Sequence, residues 1–281
     1  MRTLDPLILE ETVAGLLTEA CLILPSDLKK ALEEAKSKAP DGSRAKEVLS
    51  LICENAKIAE EEKLPICQDT GTPVVFLEWG AEVALANGTI QEAVDNGVRR
   101  AAKEAFLRRS LVKDPLERVN TGDNTPAALT ILPVAGDKVK VMVLPKGAGC
   151  ENMSQLKMLR PADGKEGVKD FILKTVFESG GNACPPLTVG IGLGGDASKA
   201  PLLAKKALFR PLGTRHPNPL YAALELELKE ALNKEGQGPL GLGGAPTVLD
   251  VFIESAPCHI ASLPVAISLN CHAARRAVKE I

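Results

Sequence analysis

The stretch Pro65-Ile66-Cys67-Gln68-Asp69-Thr70-Gly71-Thr72-Pro73 places a thiol, an amide and a carboxylate on three consecutive residues. Its two flanking prolines and its glycine predict a stiff loop rather than a helix. A helix would spread successive side chains about 100° apart, whereas a turn can direct them into one pocket. The stretch is therefore predicted to be either a chemically active loop or a turn with a half-buried cysteine.

Two further cysteines share this setting, because Cys184 precedes a Pro-Pro pair and Cys271 follows an asparagine at the end of an apolar run. Three thiolates that converge could hold an iron-sulfur cluster with one iron free of protein ligands, and such an iron is a Lewis acid. The wide spacings do not establish this, since the sequence contains no Cys-x-x-Cys motif. The chemistry of these residues leaves the cluster as one possibility and simple packing as another.

The remaining cysteines argue against a disulfide framework, because the chain has seven at irregular, wide spacings. Cys21 and Cys53 lie on apolar faces of predicted helices and are expected in the core.

Composition excludes several classes of partner. Hydrophobic residues make up 45% of the chain and charged residues 25%, and the formal net charge is −2. These values are typical of a globular protein and give no reason to expect nucleic acid or an anionic membrane surface. Apolar runs are too short to span a bilayer, and the N-terminus does not resemble a secretory signal. A cytoplasmic location is expected.

Periodicity and turn signals predict both helices and strands along the chain. The predicted helices cover residues 4–24, a segment after 26, 44–60, 89–111, 164–180, a segment that opens at 194–197 and carries Lys199, Lys205 and Lys206, and 220–234. The predicted strands cover residues 74–78, 129–134, 138–144, 188–193, 247–254 and 265–269. The strands 129–134 and 138–144 are predicted to pair as a hairpin through the turn at residues 135–137.

The segment Gly190-Ile191-Gly192-Leu193-Gly194-Gly195 matches the G-x-G-x-x-G pattern of dinucleotide-binding sites. No acidic residue follows about twenty residues later, and the chain lacks the N-terminal βαβ unit of such sites. Close backbone packing, or contact of bare amides with an anion, is the preferred interpretation.

Five motifs in order along the chain resemble the class I, iron-sulfur fumarate hydratase family. They are Cys67-Gln68-Asp69-Thr70-Gly71-Thr72, Val119-Asn120-Thr121-Gly122-Asp123-Asn124-Thr125-Pro126-Ala127, Lys146-Gly147-Ala148-Gly149-Cys150-Glu151-Asn152, Ala183-Cys184-Pro185-Pro186, and Ser262-Leu263-Pro264-Val265-Ala266 ahead of Asn270-Cys271. The resemblance is to the alpha subunit, or to the N-terminal domain of single-chain members. It covers nearly the whole chain. It implies an α+β fold, in which helices surround mixed sheets and hairpins, and one domain over residues 1–281.

The resemblance also implies roles for individual residues. A 4Fe-4S cluster would be held by Cys67, Cys184 and Cys271. Substrate would be bound by Gln68, Arg108 and Gly149, while Asp69 and His259 would be catalytic. Without the resemblance, Arg108 could be a surface charge on a helix and His259 a core histidine. Cys150 stands where single-chain relatives have serine and is expected not to be a ligand, although a fourth thiolate would close the open iron.

The implied activity is the interconversion of fumarate and L-malate. The resemblance further implies a separate beta subunit that completes the active site in an α2β2 assembly, so that the chain alone would be inactive. Two alternatives remain open: the alpha subunit of an L-tartrate dehydratase, and an iron-sulfur redox or sensor protein without lyase activity.

Overall fold

The computed structural model describes residues 1–234 and 236–281 and has the predicted α+β fold, in which helices surround mixed sheets. The helices are α1 Pro6–Leu22, α2 Ser26–Lys38, α3 Arg44–Glu62, α4 Ile90–Glu104, α5 Ala148–Glu151, α6 Gly164–Ser179, α7 Lys199–Ala207 and α8 Pro219–Lys234. The strands are β1 Arg2–Leu4, β2 Thr72–Gly80, β3 Val83–Leu85, β4 Ala128–Val134, β5 Val139–Lys146, β6 Gln155–Leu159, β7 Leu187–Gly194, β8 Val248–Ala256, β9 Leu263–Asn270 and β10 Ala277–Glu280. Among these described residues, no helix has the length and apolar character needed to cross a membrane.

The chain folds into two compact units, and each is built from more than one segment. Unit 1 comprises Met1–Pro25, Asn55–Ala148 and Arg275–Ile281, and unit 2 comprises Ser26–Glu54 and Gly149–Ala274. The chain passes from unit 2 back to unit 1 within α3. The sequence-based expectation of one domain over residues 1–281 stays a prediction.

The main sheet of unit 1 has the strand order β10-β5-β2-β4. β2 lies between β4 and β5, parallel to β4 and antiparallel to β5. The predicted hairpin between residues 129–134 and 138–144 is therefore wrong, although both strands exist. The physical reason is that Val74–Leu77 of β2 is buried at every position, which is typical of a central strand whose two edges are both paired.

In unit 1, α1 packs against β5 of this sheet and α4 packs against α1. The two helices approach closely at Gly97, where a Cβ atom would lie 2.7 Å from the Glu10 carbonyl oxygen. Asp5 caps α1 by accepting from the Leu7 N–H, and Thr89 and Glu92 form a capping box at the start of α4. The apolar faces that these helices bury form the core of unit 1.

α4 ends earlier than the sequence indicates. The predicted helix over 89–111 is wrong at its C-terminal end, because α4 stops at Glu104 and Phe106 has a φ of 52°. A left-handed backbone at a bulky residue interrupts a helix. Arg108 is consequently an exposed residue of an irregular segment, and its interpretation as a charge on a helix surface is also wrong.

The sheet of unit 2 has the order β6-β9-β7-β8, with β7 parallel to β8 and antiparallel to β9. α7 packs on β7 at two glycines of the G-x-G-x-x-G segment. A Cβ atom on Gly190 would lie 2.2 Å from the Ala204 carbonyl oxygen, and one on Gly192 would lie 1.9 Å from that of Ala200. These glycines therefore serve close packing between strand and helix, as the sequence favoured.

A buried carboxylate ties together three segments of unit 2. Glu225 of α8 is fully buried, and its oxygens lie 2.6 and 3.4 Å from the Arg210 guanidinium. The same carboxylate accepts from the backbone N–H groups of His216 and Ile253. Arg210 also stacks over the ring of Phe252 at 4.8 Å. The segment between α7 and α8 is thereby fixed to both α8 and β8.

Replacing Glu225 with glutamine is expected to destabilise the protein by about 3 kcal/mol, because it removes the fully buried counterion of Arg210 and leaves only the longer pair with Glu254 at 4.0 Å. Thermal and urea unfolding of the purified chain would measure the change. Glu227→Gln is the matched control on the same helix, since Glu227 pairs with Lys165 and Lys169 at the surface. Equal unfolding midpoints for the two variants would contradict the assigned role of Glu225.

Candidate active site

The loop that contains Cys67, Gln68 and Asp69 lies in unit 1, where residues 63–71 connect α3 to β2 without regular structure. Gly71 is required at the end of this loop, because its φ is 77° and a Cβ atom would lie 2.1 Å from the Lys146 carbonyl oxygen. Cys67 and Asp69 are half-buried, and Gln68 is exposed. The loop thus presents the amide to the surroundings and holds the thiol and the carboxylate partly within the fold.

The Asp69 carboxylate is held by groups far away in sequence. Its Oδ2 atom accepts from the Ala148 backbone N–H at 2.8 Å, and the Ser110 hydroxyl lies 3.4 Å from Oδ1. A half-buried carboxylate with fixed donors is pre-oriented, and pre-orientation is what a proton-transferring group requires.

Asn124 connects this loop to the segment that contains Arg108. Its Oδ1 atom accepts from the backbone N–H groups of Ser110 and Leu111 at 2.7 and 3.2 Å, and its amide donates to the Gly71 carbonyl at 3.3 Å. Arg108, two residues before Ser110, is thereby placed in the same region of unit 1 as Asp69. Sequence reasoning quoted Asn124 within a motif but gave neither it nor Ser110 a role.

Cys184 and Cys271 meet at one end of the sheet in unit 2. Cys184 precedes β7 and Cys271 follows β9, and Thr188 of β7 pairs with Asn270 of β9. The Cys184 carbonyl accepts from the His272 backbone N–H at 3.1 Å, and His272 Nδ1 lies at the same distance. Cys184 has a φ of 53°, and both cysteines are half-buried.

Gly149 and Cys150 lie against the segment before Cys184. A Cβ atom on Gly149 would lie 2.7 Å from the Asn182 carbonyl oxygen. Cys150 is buried, and its thiol donates to the Ala183 carbonyl at 3.1 Å. The structure therefore brings Gly149, Cys184 and Cys271 into one region of unit 2, and the buried Cys150 contacts the residue before Cys184.

His259 lies elsewhere in unit 2. It is an exposed residue of the turn between β8 and β9, where its Nδ1 atom accepts from the Ala261 N–H at 3.1 Å. It borders a cavity of about 380 Å³ together with Tyr221 and Leu263. The eight residues of β9, about 25 Å of extended chain, separate this turn from Cys271. The structure does not bring His259 to the Cys184–Cys271 end of the sheet.

The larger cavity of unit 2 does not involve the predicted site residues. It has a volume of about 730 Å³ and is lined by α2, the start of α3, α8 and the loop before β8. Within residues 1–234 and 236–281, no three His, Cys, Asp or Glu side chains form a group arranged to hold a metal ion. The candidate site is therefore defined by the positions and contacts of its individual residues and not by this cavity.

Comparisons with known proteins agree with the motifs. The family model described as Fumarate hydratase (Fumerase) matches residues 10–280. A Methanocaldococcus jannaschii protein, provisionally named L(+)-tartrate dehydratase subunit alpha, is 48% identical over 279 residues that cover 97% of each chain. The L(+)-tartrate dehydratase subunits alpha of Escherichia coli strains UTI89 and K12 are 37% and 36% identical, over 95% of this chain and 89% of theirs. The chain belongs to the fumarate hydratase (Fumerase) family of hydro-lyases.

Proposed function

We propose that this chain is the alpha subunit of an iron-sulfur hydro-lyase that adds water to, or removes it from, a four-carbon dicarboxylate. The observation that carries the proposal is the Asp69 carboxylate, which is held by the Ala148 N–H and the Ser110 hydroxyl in a loop that also contains Cys67 and Gln68. Membership of a hydro-lyase family supplies the reaction class.

The donor residues fit an iron-sulfur cluster in their chemistry. Thiolates are the ligands that such clusters require, and Cys184 and Cys271 offer two half-buried thiols at the same end of one sheet. We assign these two residues and Cys67 as the cluster ligands. When bound, a 4Fe-4S cluster with three protein ligands supplies an open iron that acts as a Lewis acid toward the substrate. Cys150 is not assigned, because its thiol donates to the Ala183 carbonyl.

The chain's own residues bind substrate and exchange a proton with it. The planar guanidinium of Arg108 suits a substrate carboxylate, which it can grip with two parallel hydrogen bonds. The exposed amide of Gln68 and the backbone N–H of Gly149 orient the dicarboxylate. Asp69 exchanges a proton with the reacting carbons or with the departing hydroxyl group. The prediction for His259 rests on the resemblance alone, so we give that residue no step.

Fumarate and L-malate are the first candidate pair, and L(+)-tartrate is the second. The family model favours the first, whereas the names of the relatives favour the second. Loss of water from tartrate gives the enol of oxaloacetate by the same removal of a proton and a hydroxyl group from adjacent carbons. The two substrates differ only by a hydroxyl group on the carbon that loses the proton.

A separate beta subunit is proposed as the partner, in an α2β2 assembly, because the relatives are named alpha subunits.

We expect the anaerobically reconstituted chain alone to be inactive, and the chain co-purified with the beta subunit from the same genome to dehydrate malate or tartrate. Turnover would be followed by ultraviolet absorbance for fumarate and by coupled oxidation of NADH for oxaloacetate. Full activity of the chain alone would contradict the proposal that a beta subunit is required. A reconstituted pair that undergoes reversible reduction but converts neither substrate would favour the redox or sensor alternative.

A further inference from the structure

Arg275 is a buried cation of unit 1 that the proposed reaction does not use. Its side chain is 3% exposed, and within the described part of the chain its Nε atom has no hydrogen-bond partner. Arginine is almost never fully buried without a paired carboxylate, because an isolated buried charge is costly. An incompletely satisfied guanidinium at such a position suggests a role other than stabilising the core.

On one side, Arg275 lies near Cys21. Burial raises the pKa of the Cys21 thiol to about 11, and the nearby positive charge of Arg275 acts to lower it. The Cys21 carbonyl in turn accepts from the Ile66 N–H at 2.9 Å. The Asn55 amide donates to the Ile66 carbonyl, also at 2.9 Å.

On the other side, Arg275 faces Asp69 across a glycine. A Cβ atom placed on Gly147 would lie 3.4 Å from Arg275 Nη2 and 3.2 Å from Asp69 Oδ2. The guanidinium and the carboxylate thus flank the same point of the backbone, next to the Ala148 N–H that donates to Asp69 Oδ2 at 2.8 Å. Attraction between opposite charges in this partly buried setting draws the carboxylate toward Gly147 and Ala148.

We propose that Arg275 is a positioning residue for Asp69: it holds the carboxylate against the Ala148 N–H across Gly147 and thereby steadies the Cys67-Gln68-Asp69 loop. The catalytic relevance of this arrangement rests on the proposed function, whereas the arrangement itself does not. Arg275 acts through Asp69 and does not touch substrate.

The first test measures the position of the carboxylate without any cofactor. Amide hydrogen exchange of Ala148, followed by NMR in the full chain, reports on its hydrogen bond to Asp69. Arg275→Gln is expected to accelerate exchange at Ala148 about tenfold, and Arg275→Lys, which keeps the charge, less. If Arg275→Gln does not fold, Arg275→Lys tests the proposal instead, because the Ala148 amide must also exchange faster in that variant than in the original chain.

The control is Arg210→Gln, which removes another largely buried arginine, one that pairs with Glu225 in unit 2. It is expected to lower the melting temperature and to leave exchange at Ala148 unchanged. Equal exchange at Ala148 in the original chain and in the Arg275 variants would overturn the proposal. A similar acceleration in Arg210→Gln would also overturn it, since the effect would then be general destabilisation.

The second test uses the chain assembled with its beta subunit and loaded with iron and sulfide. Because misplacement of a reacting group by about 1 Å can cost 100-fold in rate, Arg275→Gln is expected to lower kcat by about 10- to 100-fold with KM changed less than about twofold. A raised KM with unchanged kcat would instead make Arg275 a substrate ligand and overturn the proposal. If the original assembly converts neither malate nor tartrate, the proposed function fails, and exchange at Ala148 still decides the role of Arg275.

Discussion

Replacing Asp69 with asparagine is expected to lower kcat of the assembled enzyme by about 100- to 10,000-fold, the range typical of losing a general acid or base. Asparagine has nearly the same shape, and its carbonyl oxygen can still accept from the Ala148 N–H that now holds Asp69 Oδ2. The loop should therefore keep its conformation while losing the carboxylate that we propose exchanges a proton with the substrate. Steady-state kinetics with malate and with tartrate would measure the loss, together with the iron content of each preparation.

The control for this variant is Asp5→Asn. Asp5 is a carboxylate of the same unit that also accepts a single backbone N–H, from Leu7, at the start of α1. Because asparagine is an equally good helix cap, neither kcat nor stability should change appreciably. An Asp69→Asn enzyme with a normal iron content and nearly full activity would contradict the assignment of Asp69 as the proton-transferring residue. A loss of iron in the same variant would make Asp69 structural.

Local sequence patterns predicted the positions of helices and strands better than they predicted which strands pair with each other. The periodicity over residues 44–60 and 220–234 anticipated α3 and α8 closely. The turn at residues 135–137 suggested a hairpin, yet both flanking strands pair with β2 instead. A turn signal describes only neighbouring residues, whereas strand order depends on which strand buries both faces. The continuous apolar run Val74–Leu77 was the available signal that β2 is central.

The same limit applies to the candidate site. Cys67, Gln68 and Asp69 could be singled out because their side chains are adjacent in sequence. Ser110 and Ala148, which surround the Asp69 carboxylate, are 41 and 79 residues away, and no local rule joins them to it. Asn124 is the exception, because asparagine in a polar turn is one of the few residue types that readily adopt the left-handed conformation, and it does so here with a φ of 64°.

Buried charge was the least predictable feature. Glu225 is fully buried, whereas Glu227 on the same helix is only half-buried, and nothing in the neighbouring sequence distinguishes the two. Arg275 did carry a signal, because it stands between Ala273-Ala274 and Ala277, all of which are buried. A charged residue between small apolar residues is either buried with them or marks the point where the buried segment ends. Sequence reasoning gave it no role because the charged pair Arg275-Arg276 resembles an ordinary solvated segment.

Replacing any one of Cys67, Cys184 or Cys271 with serine is expected to abolish stable cluster binding. Serine keeps the size of the side chain but not the thiolate that iron requires. Anaerobic reconstitution with iron and sulfide, followed by iron analysis and visible absorbance, would measure the loss. Because the proposed reaction depends on the cluster, hydro-lyase turnover should fall to background in the same preparations.

Two serine variants separate cluster ligands from other cysteines. Burial and a hydrogen bond with Glu33 raise the pKa of Cys53 to about 11, so its thiol stays protonated near neutral pH, and Cys53→Ser should retain the cluster. Cys150→Ser should retain it as well, because a serine hydroxyl can replace the thiol as donor to the Ala183 carbonyl. Loss of iron in Cys150→Ser would identify a fourth thiolate ligand. The iron would then have no open position for a substrate, and Lewis acid chemistry at this chain would fail with it.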